Sequence, residues 1–272
     1  MKSKNMSKIL MDNILYICLL LMIVIIAIIS PSFISVRVLS DVLTQSAPKM
    51  LLAVGMLVVI IAGGMDMTVG RLAGLGAVVS GTLAQQSTYY IKFWPSLPEM
   101  PLIVPIVASI IIGIISGVIT GLIISKLKVP AFLAGLGLQL IIYGGNLLFM
   151  KKAPNNSQPL AGFKESFTKF GTGSVAGVNY LIIVALVVMI AVYIILNMTT
   201  LGKNIYATGG NREAAKVAGI NVFKIDMFVY ILSGALAALA GCMLAARTGS
   251  ANATYAEGYE MDAIRSEEHT SE

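Results

Sequence analysis

Apolar runs of fifteen to twenty-four residues recur along this chain, and the polar stretches between them are too short to fold alone. Their approximate limits are 14–30, 50–64, 72–91, 102–125, 130–150, 178–197 and 225–247. At about 1.5 Å per residue, some twenty apolar residues cross a hydrocarbon core about 30 Å thick. Backbone in lipid must satisfy its hydrogen bonds within its own segment, so such runs become helices. The expected fold is therefore all-α, a polytopic membrane bundle with about seven spanning segments. Composition agrees: 57% of the 272 residues are hydrophobic and 12% are charged, about half the usual globular share.

The formal charge is +6. Its lysines and arginines sit in short loops beside apolar runs, where they meet anionic headgroups and set orientation, so nucleic acid is not implied. An N-terminus in the cytoplasm puts segments 1–11, 65–71, 126–128 and 198–224 inside, with ten Lys/Arg against eight outside. The bias is small. Lys2, Lys4 and Lys8 precede the first run, but Ser30-Pro31-Ser32-Phe33 follows it in place of a small-residue cleavage site, so the first span is read as retained. Cys18 and Cys242 both lie inside apolar runs and read as small packing residues. Gly113, Gly117 and Gly121 form a small-residue stripe, with a second at Ser233, Ala237 and Gly241 and the start of a third at Gly70 and Gly74. Such stripes let helices approach closely.

One interruption stands out. "IIAGGMDMTVGRLAG" places Asp66 and Arg71 between two apolar runs, beside Gly63 and Gly64. The run 50–64 reaches only about 22 Å, so it either stops short or breaks within the membrane. Broken helices commonly build transporter sites. Asp66 is expected to accept a hydrogen bond from the N–H of Thr68 or Val69 as a cap, or to line a path or gate paired with Arg71. The two roles are compatible. Gly63, Gly64, Asp66, Thr68, Gly70 and Arg71 are accordingly the candidate path residues.

Catalytic signatures are missing from the sequence. There is no phosphate-binding G-x-x-x-x-G-K-[ST] loop and no H-E-x-x-H, and the one histidine, His269, lies in the last eight residues. No metal or cofactor site is expected in this chain. The most informative polar segment is "NMTTLGKNIYATGGNREAAKVAGINVF", residues 197–223. Here Asn211 reads as an N-cap, Arg212–Val217 as a two-turn surface helix with Glu213 in its first turn, and Gly219 as its end. The helix is either a solvated connector or a docking element for a cytoplasmic partner.

Taken together, "IIAGGMDMTVGRLAGLGAVVSGTLAQ", "LGKNIYATGGNREAAKVAGINV", "LSGALAALAGCMLAARTGSA" and "GYEMDAI" resemble, in order and spacing, the permease subunits of bacterial sugar ABC importers, the ribose, xylose and galactose family. Gly70-Arg71, "LPEMP" and "PLAGFKESFTKFGTGS" look most like the galactose/methyl-galactoside branch. The resemblance implies a non-catalytic subunit of the bacterial inner membrane. A periplasmic binding protein would deliver the sugar, a second permease copy would complete the path, and a cytoplasmic ATPase would use ATP and Mg. It also implies that Gly209, Gly210, Asn211, Glu213, Ala214, Ala215 and Gly219 form the loop that engages the ATPase. The family text would continue past residue 264. Residues 265–272, "RSEEHTSE", resemble a translated sequencing adapter, so 1–264 is read as a permease domain incomplete at its C-terminus and 265–272 as a non-native tail. The competing function is a stand-alone secondary transporter or channel. That class more often carries several intramembrane carboxylates or histidines, and the sequence offers little beyond Asp66.

Overall fold

The computed structural model describes residues 13–259 and 261; the tail 265–272 lies outside them. The chain divides into two compact units, Met1–Leu43 and Thr44–Glu272. In the first, α1 (Ile14–Ile29) is apolar on every side and buries none of its residues. That pattern suits a helix surrounded by lipid. A 3-10 turn at Pro31–Phe33 follows, with the proline at its first position.

The elements that follow are α2 (Val36–Ile61), α3 (Val69–Ala84), α4 (Ile103–Ser125), α5 (Ala131–Met150), α6 (Glu165–Thr172), β1 (Ser174–Val175), β2 (Val178–Asn179), α7 (Tyr180–Met198), α8 (Thr200–Gly210), α9 (Arg212–Val217) and α10 (Val222–Thr248). The only described sheet is the antiparallel pair β1–β2. Among the described residues five helices are long and apolar enough to cross a membrane: α2, α4, α5, α7 and α10. α1 and α3 are apolar but shorter, at sixteen residues each.

Two expectations need correction. The second span is not a short run of fifteen residues. α2 begins at Val36 and has 26 residues, about 39 Å. The third ends at Ala84, not at residue 91, because Gln85 leaves the helix with extended backbone. Its side chain then ties the loops together, donating to the Ala161 carbonyl at 3.0 Å and accepting from the Phe93 N–H at 2.7 Å. The remaining spans fall within three residues of their expected limits.

α10 is the axis of the larger unit. Its small residues let backbone meet backbone. A Cβ on Gly117 would overlap the Tyr230 carbonyl oxygen, and one on Gly241 would overlap the Ala73 carbonyl oxygen. The small-residue stripes are thus the seams of α10 with α4 and α3. Leu51, Leu52, Met56, Leu72, Ala237 and Met243 fill the core around them.

Direction follows from these contacts. α2 descends from Gln45, which accepts from Arg247 at 3.4 Å, to Ile61 beside Gly209. α3 then ascends alongside α10, with Asp66 level with Ser233, Ala73 with Gly241 and Gly81 with Ala251. One end of the unit gathers the segments before α5 and from α8 to the start of α10. The other gathers 85–101, 151–179 and 248–252, after which the chain turns back along α3, with Ala253 and Tyr255 beside Gly74 and Glu257 at Arg71. At that second end Leu160 pairs with Ala251, and Lys164 lies 3.4 Å from Glu99.

Candidate functional site

The break between α2 and α3 lies inside the bundle. Gly63 turns the chain with φ +77, a conformation open to glycine at no steric cost. Gly64 has no room for a side chain, since a Cβ there would sit 2.6 Å from the Tyr230 hydroxyl. Asp66 is 2% exposed. Its Oδ1 accepts from the Thr68 N–H at 3.0 Å and from the Thr68 hydroxyl at 2.6 Å. Its Oδ2 accepts from the Ser233 hydroxyl at 2.8 Å. Ser233 is eleven residues into α10, about 17 Å from its first residue. A carboxylate with three donors is well satisfied there. It ties the start of α3 to the middle of α10.

Arg71 is not the partner of Asp66, which corrects the expected pairing. Its Nη2 donates to Glu257 Oε1 at 2.6 Å, and its guanidinium lies 4.1 Å from the Tyr143 ring centre. Segment 65–71 is therefore no inner-end loop, and Arg71 does not count among the cations that set orientation. Thr68 and Gly70 are buried beside Asp66.

The second candidate cluster folds as its sequence suggested. Asn211 Oδ1 accepts from the N–H groups of Glu213 and Ala214, both at 3.0 Å, and opens α9. Lys216 donates to Glu213 at 2.6 Å and holds its carboxyl below the usual range. Ala215 is buried, and Gly219 ends the segment with φ +83. Upstream of it, α8 (capped by Thr199 on the Gly202 N–H) was not foreseen. It returns the chain to the bundle, where Gly209 packs against Ile61 and Ala62 and lies 3.5 Å from where a Gly63 Cβ would be.

The two clusters thus meet. Between them lies a cavity of about 580 Å³ that runs from Gly63 and Gly64 past Tyr230 and Asp226 to Arg212, Glu213 and Lys216. Its central contact is a pair that the sequence reading missed. Arg212 donates to both carboxylate oxygens of Asp226, at 2.9 and 2.5 Å, and Ser125 adds a third hydrogen bond at 3.2 Å. The Asp226 side chain is 2% exposed and that of Arg212 42%. One carboxylate therefore joins α9, α10 and the end of α4. The available signal was an acid at the start of an apolar run, which calls for a cation from a neighbouring element. Among the described residues no cluster of three His, Cys, Asp or Glu could hold a metal ion.

Residues 38–266 match the family described as branched-chain amino acid transport system/permease component. The chain is 37% identical over 254 residues to the galactose/methyl galactoside import permease MglC of Salmonella typhimurium and to that of Escherichia coli, covering 92% of this chain and 75% of each relative. To the ribose import permease RbsC of Escherichia coli it is 36% identical over 258 residues, 94% of this chain and 75% of the relative. No solved structure gives a match.

Proposed function

The chain belongs to this permease family, as the membrane subunit of a sugar ABC importer, and we propose that it carries galactose or a methyl galactoside. The identities are nearly equal, 37% to two galactose permeases and 36% to the ribose permease, so the choice of galactose rests mainly on Gly70-Arg71, "LPEMP" and "PLAGFKESFTKFGTGS". In this reading a periplasmic binding protein loads the sugar at the end that holds 151–179, and two copies of the chain enclose the path. A cytoplasmic ATPase docks on α9 and supplies the energy, so this chain itself holds neither ATP nor metal.

A single observation carries the coupling: the surface helix α9 and the helix break at Gly63–Gly64 border one cavity, joined through the Arg212–Asp226 pair and the seat of Gly209 on Ile61. An ATPase that moves α9 would thereby move α10, and α10 holds Asp66 through Ser233. Coupling between distant sites needs such a shared rigid element. In this proposal Gly63, Gly64, Asp66, Thr68, Gly70 and Arg71 line the path or its gate. Gly209, Gly210, Asn211, Glu213, Ala214, Ala215 and Gly219 form the docking segment.

The test is reconstitution in liposomes with the cognate ATPase and binding protein. Labelled galactose should enter only with ATP, regardless of ion gradients, and ribose should compete poorly. Uptake that needs no ATPase and collapses with an ionophore would establish a stand-alone secondary transporter instead.

A further inference from the structure

Among the described residues, three buried side-chain polar atoms have no hydrogen-bond partner: Nη1 of Arg71 and both Oδ1 and Nδ2 of Asn146. They come from adjacent helices. Gly135 of α5 lies against Met67, and Tyr143 of α5 lies under the Arg71 guanidinium at 4.1 Å, so α3 and α5 run side by side in one direction. Tyr143, Asn146 and Met150 are spaced to share a face of α5, and Tyr143 and Met150 pack in one core. Asn146 thus sits one turn beyond the stacked pair, on the same side, and is 2% exposed.

Buried polar groups in native proteins almost always find partners. A carboxamide brings two donors and two acceptor sites, and here none is met by the protein. Both atoms of the amide and Nη1 of Arg71 call for a ligand that both donates and accepts. Ring hydroxyls do both. The site also disfavours an ionic ligand, because Arg71 is already neutralised by Glu257. Glu257, with its side chain 53% exposed, marks the open side, and Asn146 the closed one.

We infer that Arg71, Tyr143 and Asn146 form a selectivity station for a neutral polyhydroxylated solute. Its hydroxyls take the open hydrogen-bonding positions of Asn146 and Arg71 as the solute moves along the path that the two copies enclose. The station is closed in this structure and opens when α3 and α5 part. This inference rests on the sugar-importer reading and adds to it the residues that read the sugar within the membrane subunit.

The test compares wild type with Asn146→Leu in the reconstituted importer, using galactose and a set of monodeoxygalactoses. Leucine keeps the volume and removes both unpartnered atoms. The variant should take up galactose about tenfold less efficiently, the scale of one hydrogen bond. The loss should shrink for the analogue lacking the hydroxyl that Asn146 holds. Discrimination by the binding protein cancels in the ratio of variant to wild type. Thermal stability in detergent should be unchanged or raised, since no hydrogen bond within the protein is lost.

Galactose uptake within twofold of wild type would mean that ordered water alone serves Asn146, and would overturn the station. So would an equal loss for galactose and every analogue, the mark of a packing role. No ATP-driven galactose uptake by wild type would overturn the sugar-importer reading itself, and the station with it.

Discussion

Truncating the two partners of the Arg212–Asp226 pair has unequal consequences, because only one of them is buried. Arg212→Ala strands a carboxylate that is 2% exposed, with Ser125 its remaining donor. Breaking a fully buried pair costs about 3–5 kcal/mol. With the arginine side chain 42% exposed, about 2 kcal/mol is the expected loss. Asp226→Ala leaves a guanidinium that can turn to water, and its cost should be nearer 1 kcal/mol. Arg212→Lys should recover only part, since an ammonium lacks the two-pronged geometry. Reversible unfolding in mixed micelles measures the order, and a costlier Asp226→Ala would contradict this account of the pair. At Asp66 the same reasoning separates shape from charge. Asp66→Asn keeps an oxygen for Thr68, and the Ser233 hydroxyl can rotate to accept from the new amide, so stability should fall by no more than about 1 kcal/mol. Asp66→Ala removes every partner of those three donors and should cost about 2 kcal/mol or more. The contact with Thr68 was legible from two-residue spacing. The contact with Ser233, 167 residues away, was not, and neither was the diversion of Arg71 to Glu257. Long-range partners are set by how helices pack, which a local pattern does not encode.

Glycines that look alike in sequence differ sharply as parts of elements. Gly209 meets the end of α2, where a Cβ would overlap the Ile61 carbonyl oxygen, whereas Gly145 in α5 has nothing within 4 Å of that position. Gly209→Ala must push α8 off α2 and should cost more than about 2 kcal/mol, as overpacking against backbone does. Gly145→Ala meets no obstacle and gains helix propensity, up to about 1 kcal/mol. Thermal unfolding of the two single variants should therefore shift in opposite directions, and a matching fall in both would refute the contrast. The hydropathy that located α4, α5, α7 and α10 failed for the first half of α2. Arg37, Ser40, Asp41, Thr44, Gln45, Ser46 and Lys49 make residues 36–49 look like a loop. Yet Val38, Leu39, Val42 and Leu43 recur at helical spacing, and Thr44, Ala47 and Pro48 are buried. Periodicity carried the information that mean hydropathy averaged away. α8 was hidden for a different reason. Its glycines and polar residues read as connector, and its helix forms because Thr199 caps it and Ile205 is buried in a core with Val58 and Ala62.

At the scale of the whole molecule the loops sort to two ends, and their charge sets an orientation. The end with the cavity carries Lys126, Lys128, Lys203, Arg212, Lys216 and Lys224, all in short segments beside spanning helices. Such segments dominate positive-inside orientation. At the opposite end Lys151 and Lys152 are exposed, but Lys164 faces Glu99, Lys169 bridges to Glu165, and Lys92 is buried against the Leu97 carbonyl, so fewer cations there are unbalanced. On this count the cavity end is predicted to face the cytoplasm, the side on which the proposed ATPase would dock. The prediction can be read by labelling single cysteines in intact cells and in inverted vesicles. Cys18 is exposed and needs prior replacement by serine, while Cys242 is buried and can stay. Lys128→Cys and Lys216→Cys should react with a membrane-impermeant maleimide only in inverted vesicles. Ser157→Cys and Ala176→Cys, exposed at the other end, should react only from outside. Labelling of Lys216→Cys from outside would place α9 beyond the reach of any cytoplasmic ATPase. The cavity would then open toward the binding protein, and coupling through Arg212 and Asp226 would have nothing to couple to.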